Sequence, residues 1–359
     1  MYYYNKWVYI IAVIIMFGFN PKDSFAQKSE EEYKKEIDTY KNEIREKADL
    51  FLQSNRPVQE RLDAIKNYSS IYDENQIEGF KNIVYSDNEP DEIRAAALKM
   101  LDGYVEQDAK LFDFVGKAVV NRDFPQSLRY EAMQIFNRIS FNSFGMHGGK
   151  DLIVSTYREL VNDPEIEFRR EGFGYLIQNG DDVAQQLLAR GLENPEEALL
   201  PPVECISLLA FDTPSDYQPL IFDYLKKENN YEVRVEAVRA LGNYTPAREE
   251  LIKILQDEEE IADFRLVVIG ILNANYPDQF HQYTLPLLED NTQTPADLIM
   301  YTIQAEMYRR NDNQSRNKRL DGGRYVPDKF DQLVLAKKDN DSPEISNIAI
   351  RYTKTLNFE

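Results

Sequence analysis

The sequence predicts an all-α protein built by repeating a helical hairpin, and three observations carry that expectation. First, an apolar residue, an arginine, two variable positions and a small residue recur, with further apolar residues one and four places on. Ile93-Arg94-Ala95-Ala96-Ala97-Leu98-Lys99-Met100-Leu101 is one copy and Val233-Arg234-Val235-Glu236-Ala237-Val238-Arg239-Ala240-Leu241 is another. The small residues stand at 64, 97, 132, 172, 205, 237, 268, 302 and 349, at intervals of 31 to 47 residues. Second, most copies follow an amphipathic stretch of two to three turns, such as Gln76 to Tyr85, Leu152 to Val161 or Glu249 to Leu255. Third, only 15 glycines and 16 prolines stand among many Leu, Ile, Glu, Lys and Gln, a composition for helix rather than an all-β fold or disorder.

Residues 1–26 read as an export signal apart from the fold. Lys6 precedes a 13-residue apolar run, Trp7 to Phe19, then a polar break, then Ser24-Phe25-Ala26 with small residues at −3 and −1 of a cleavage site. The run is too short to cross a hydrocarbon core of about 30 Å comfortably. The expected location is therefore the periplasm or the extracellular space, with no membrane span after cleavage. Removing Lys6, Lys22 and Asp23 takes away a net +1, so a formal charge of −20 becomes −21 from Gln27 onward. Such acidity sets the protein against nucleic acid, whose phosphates it repels at long range. Cys205 has no second cysteine to pair with and reads as a small buried apolar residue.

Residues 27–56 are expected to form an N-terminal capping helix, with Tyr33, Ile37, Tyr40, Ile44, Ala48 and Phe51 recurring every three or four positions. The same spacing fits a coiled-coil seam, although it is short for one. Repeats then fill 57–308. Turns rich in Asp, Asn and Pro, such as Ser86 to Pro90 and Asn162-Asp163-Pro164, are expected to cap the second helix of each hairpin. A glycine-rich stretch, Ser143 to Lys150, reads as an inter-repeat loop. Residues 309–329 form a basic insert: Arg309, Arg310, Arg316, Lys318, Arg319, Arg324 and Lys329 face only Asp312, Asp321 and Asp328. Residues 330–359 close the chain as a C-terminal capping repeat.

These copies resemble HEAT repeats of the short type also seen in phycobilisome-lyase-related proteins, over residues 57–356. The resemblance implies an α-α superhelical solenoid of about nine hairpins, with second helices on the concave side. It also implies that the repeated arginine pairs with a turn aspartate of a neighbouring unit. Arg61, Arg94, Arg129, Arg169, Arg234 and Arg265 match; Pro202, Ile299 and Ser346 depart from the pattern.

Catalytic signatures are missing. The chain has no Gly-x-Ser-x-Gly elbow, no His-Glu-x-x-His pair and no dinucleotide glycine fingerprint. Two histidines and one cysteine restrict zinc chemistry, and no cofactor motif is present. His281 reads as an isolated solvated or packing residue. Two places before the small residue, a helix points about 160° away from it. There the chain carries Leu62, Ala95, Tyr130, Arg170, Val203, Val235, Leu266, Met300 and Asn347, seven of nine apolar or aromatic. One place before it stand Asp63, Glu131, Glu171, Glu204 and Glu236; the alternative to an open ribbon is that adjacent second helices press together and bury it, with Asp63–Lys66 and Glu236–Arg239 as i,i+3 pairs.

The expected function is a non-catalytic scaffold that holds a protein or peptide with apolar and basic groups along this ribbon. Arg316, Lys318 and Arg319 are candidates for an anionic partner. Two alternatives stay open. One is an enzyme or small-ligand module at 143–150, around His147, or at the basic insert. The other is a homo-oligomer in which the insert of one copy meets the acidic ribbon of another.

Overall fold

The computed structural model describes residues 30–68, 71, 73–142, 149–211, 216–289, 294–311, 320–321 and 324–356. The chain forms two compact units, residues 1–150 and 151–359. Among the described residues the helices pair into nine hairpins. Three belong to the first unit: α1 (Glu30–Phe51) with α2 (Val58–Ile65), α3 (Glu74–Tyr85) with α4 (Asp91–Met100), and α5 (Ala109–Val120) with α6 (Gln126–Asn142). The second unit continues with α7 (Gly149–Leu160) and α8 (Ile166–Gln178), α9 (Asp182–Glu193) and α10 (Pro202–Leu209), then α11 (Gln218–Leu225) and α12 (Tyr231–Ala240). It ends with α13 (Arg248–Gln256) and α14 (Ala262–Asn275), α15 (Phe280–Glu289) and α16 (Ala296–Asn311), and α17 (Lys329–Ala336) and α18 (Pro343–Thr353). A two-residue antiparallel pair, β1 (Leu320–Asp321) with β2 (Arg324–Tyr325), interrupts the helical order before α17. Among the described residues no helix is long and apolar enough to cross a membrane.

The fold is all-helical, as the repeat predicts, and each of the nine small residues lies buried on the second helix of its hairpin. Their smallness follows from the approach of the first helix. A Cβ on Gly172 would sit 3.0 Å from Leu160 Cβ, the Tyr157 carbonyl oxygen and the Val161 nitrogen, all on or just after α7. Apolar residues four places either side, such as Ile93 and Leu101 or Phe264 and Leu272, complete the buried stripe. Within each unit consecutive second helices pack on one another, more closely than the first helices do.

The arginines are structural. An α-helix leaves its last carbonyls without intrahelical partners. Arg61, Arg94, Arg129 and Arg265 each donate Nε to the carbonyl ten residues earlier, in the last turn of the preceding helix. The acceptors are Phe51 (2.7 Å), Val84 (3.2 Å), Val119 (3.1 Å) and Leu255 (2.8 Å). In two copies the partner from the next hairpin's turn is a glutamate where the resemblance implied an aspartate. Arg61 meets Glu89 at 2.7 Å, and Arg234 holds both oxygens of Glu260, each from the next hairpin's turn. Arg94 instead reaches Asp87 of its own turn at 3.2 Å. Arg169 is wired differently again, donating to the carbonyls of Asp163, Pro164 and Leu199. In the ninth copy Ser346 replaces arginine, and its hydroxyl donates to the Lys338 carbonyl.

Capping follows the expectation only in part. Asn230 and Ser342 cap second helices α12 and α18 through their side chains, but Asp73, Asp108 and Asp181 cap first helices α3, α5 and α9. Pro90 and Glu165, at the starts of α4 and α8, give no side-chain cap. The turn acid Asp87 is engaged with the repeat arginine, and Asp163 accepts from the Glu165 backbone within the turn.

Helix α1 is divided along its length. Ile44, Ala48 and Phe51 are buried, and Phe51 stacks on Phe80 with ring centroids 4.8 Å apart. Tyr33, Ile37 and Tyr40, one to three turns earlier on the same stripe, are exposed.

Candidate functional site

The second-helix face of the first unit carries a shallow groove. A groove of about 280 Å³ lies between α2 and α4, floored by Leu62, Ala96 and Met100 and flanked by Asp63, Lys66 and Lys99. Its position follows from the repeat. Leu62 and Asp63 stand two and one places before Ala64, and Ala96 stands one place before Ala97, so successive second helices present the same register to the gap. Tyr68 borders the groove, and its hydroxyl donates to Glu43 at 2.7 Å. That hydrogen bond to a carboxylate is the main cause holding the Tyr68 pKa up to about 12.

Tyr130, on α6 of the same unit, is the single aromatic of the predicted ribbon and is 51 % exposed. Its neighbour Glu131 is half-buried, and burial pushes its carboxyl up while the Lys99 ammonium pulls it down and Asp102 pushes it up again. This sequence of apolar floor, exposed phenol and part-desolvated carboxylate can grip an apolar side chain beside a cation.

The second unit treats the ribbon differently. Val203 and Leu266 are half-buried. Met300 packs against the core of the eighth and ninth hairpins. Val235 is corrected from ribbon to core: it is 8 % exposed, because α12 is closed in by α10 and α14 on either side. Two carboxylates of the acidic column already have partners within the chain. Glu204 accepts two hydrogen bonds from Arg170, 2.8 Å from Nε and 2.7 Å from the terminal nitrogen, tying α10 to α8. Glu236 pairs with Arg239 one turn on, at 3.4 Å. Glu171 is half-buried. Arg316, Lys318 and Arg319 lie outside the described residues, as do His147 and residues 143–148 of the glycine-rich stretch.

One cluster escaped the sequence reading. His281, expected to be isolated, stands between two carboxylates: Nδ1 is 3.1 Å from Asp328 Oδ2, and Nε2 is 3.1 Å from Glu306 Oε1, off the hydrogen-bonding direction. Arg309 and Arg310, counted with the basic insert, belong to α16 and turn onto the same Glu306. Glu306 is fully buried, and its pKa falls to about 2; burial opposes the charge, but His281 and Arg309 outweigh it. A sequence signal for this cluster exists. Four places after the small residue, the second to seventh copies bury Leu101, Phe136, Leu176, Leu209, Leu241 and Leu272, whereas the eighth carries Glu306. A charge in a core position demands partners.

No family model matches the sequence, and no curated protein matches it either.

Proposed function

We propose that this chain is an exported, non-catalytic interaction scaffold of stacked HEAT-like hairpins. It holds an apolar, basic-flanked segment of another protein along the second-helix face of its first unit. The groove between α2 and α4, with exposed Tyr130 on α6, the next second helix, supports this reading. A bound segment that fills the groove and lays an apolar side chain on Tyr130 would remove both from water, at about 25 cal/mol per Å² of apolar area. Half-buried Glu131 favours a Lys or Arg next to that side chain, because a cation there offsets the cost of desolvating the carboxylate. The superhelical stacking of all nine hairpins belongs to the same proposal and draws on the shared register of the repeats. Export rests on the layout of residues 1–26.

The test is position-resolved cross-linking in cells. A photoreactive phenylalanine replaces Tyr130 in one variant and Val183, exposed on first helix α9, in another. A discrete cross-linked product from position 130 that is absent from 183 supports the reading, provided Leu62→Lys abolishes it. Identical products from both positions, or none from 130, refute it.

A further inference from the structure

Helix α1 outruns the helix it pairs with. It has 22 residues against 8 in α2, about 33 Å against about 12 Å at 1.5 Å per residue, so its N-terminal half continues past the end of the hairpin. Ile44, Ala48 and Phe51 are buried by their own chain, whereas every residue from Glu32 to Glu43 is exposed. The apolar stripe does not stop at that boundary. Tyr33, Ile37 and Tyr40 carry it on, 43 %, 38 % and 38 % exposed, at the alternating four and three spacing of a helix-packing seam. A helix of about three turns is marginal in water and gains most of its stability by packing such a face.

The stripe leads to the groove. The Tyr40 ring meets the Tyr68 ring, centroids 6.3 Å apart, and Tyr68 borders the groove between α2 and α4. The Tyr68 hydroxyl is tied back to Glu43 of α1 at 2.7 Å, which holds the phenol at the junction. Tyr33, Ile37, Tyr40 and Tyr68 therefore run on into Leu62, Ala96 and Met100 as one strip within the first unit. Charges sort along its α1 part. Lys34 and Lys41 follow the two tyrosines on one edge of the stripe, and Glu36 and Glu43 precede the two isoleucines on the other.

We infer that the outer half of α1 is a second docking surface for the segment that fills the groove, and that the flank of that segment lies on it as a helix. The inference rests on the groove as a binding site and adds the form and charge pattern of what continues beyond it. Anchors at Tyr33, Ile37 and Tyr40 match the period of a facing helix, not the two-residue period of an extended strand. A second copy of this chain does not suit the seam. Laid antiparallel, it sets Lys34 against Lys41 and Glu36 against Glu43, like charge against like. Laid parallel, it runs past Ile44 into the volume that α2 and α3 fill, where Phe51 already stacks on Phe80. A helix of another protein avoids both, with acidic residues along the edge facing Lys34 and Lys41 and basic residues along the edge facing Glu36 and Glu43. Glu36 and Lys41 also interact within their own chain, so these exposed charges set the orientation of the partner more than its affinity.

The test extends the cross-linking at position 130 on the whole chain. A photoreactive phenylalanine replaces Tyr33 in one variant and Asn42, exposed on the far side of the same helix, in another. Position 33 is expected to label the same protein as position 130, on a different peptide of it, and position 42 is expected to give no product. Ile37→Lys, an exposed change that leaves the hairpin core intact, should lower the yield at 33 roughly tenfold by removing the central apolar anchor. A product at 130 with none at 33, a different protein at 33, equal labelling from 33 and 42, or a yield unmoved by Ile37→Lys overturns the α1 surface and leaves the groove standing. A product at 33 with the mass of two copies of this chain overturns it in favour of self-association. No product at either 33 or 130 refutes the groove and the α1 surface together.

Discussion

Arg265 donates its Nε to the carbonyl of Leu255, ten residues earlier, across a distance of 2.8 Å. Arg61, Arg94 and Arg129 do the same to Phe51, Val84 and Val119. The repeated arginine is thus a C-terminal cap carried by the opposite helix of the hairpin. It serves a carbonyl that the helix itself cannot satisfy, and it places a positive charge near the negative end of the helix dipole. Where the Tyr224 carbonyl already accepts from the Lys227 and Glu228 nitrogens, Arg234, ten residues on, turns instead to Glu260.

Replacing Arg265 by Ala is expected to destabilise the second unit by roughly 1–3 kcal/mol, since a buried acceptor loses its donor. Arg265→Lys should recover little, because an ammonium lacks the planar fork. Urea unfolding followed by circular dichroism measures both. A loss below about 0.5 kcal/mol for the alanine variant would remove the capping role.

Two glycines on α8 make a matched pair. Gly172→Ala drives a Cβ to 3.0 Å from the Tyr157 carbonyl oxygen and the Val161 nitrogen, whereas a Cβ on Gly174 meets nothing within 4 Å. The first substitution should cost about 1–3 kcal/mol by overpacking. The second should gain roughly 0.5–1 kcal/mol from helix propensity. Thermal melts of the two variants are expected to move in opposite directions.

Cys205 is buried, and burial, with the nearby Glu204 charge, pushes its thiol pKa up to about 12. The thiolate is the reactive form, so the native protein should resist alkylation at about pH 8 and accept one label per chain once unfolded. Mass spectrometry before and after denaturation reads this directly. Rapid native labelling would place the thiol at the surface.

Glu306 predicts an acid limb of stability. Its pKa falls from an ordinary 4.5 to about 2 in the folded chain. A depressed folded value means its contribution is complete above the unfolded pKa and disappears as pH falls from about 4.5 towards 2. Glu306→Leu copies the residue that most other repeats carry, yet it takes a buried carboxylate from both Arg309 and Arg310, although Arg310 keeps Asp331. We expect it to cost about 3–5 kcal/mol. Glu306→Leu as stable as the wild type at neutral pH would show that the cluster contributes nothing.

The hairpins were legible because their signals are local. A small residue flanked by apolar ones at helical spacing can serve only a close helix contact, and Gly172 and Ala97 are buried as that logic requires. The ribbon was half legible. Tyr130 and Val235 occupy the same register two places before the small residue, yet one is 51 % exposed and the other 8 %. Register decides direction on a helix; the distance to the next second helix decides exposure, and no single repeat encodes it. Glu204 shows the same limit, since its partner Arg170 lies 34 residues away on another helix.

From the sequence alone came the helical class, the nine hairpins, the buried small positions and the structural reading of the arginines. All of these rest on spacings of three, four and ten residues, which a hairpin converts directly into contacts. The tertiary structure alone decided that His281 sits against Glu306 and Asp328, that Arg309 and Arg310 turn inward, and that Val235 belongs to the core. Those outcomes depend on groups from different helices meeting in a shared, water-poor volume. There a charge is set by its neighbours in space, not by its neighbours in the chain.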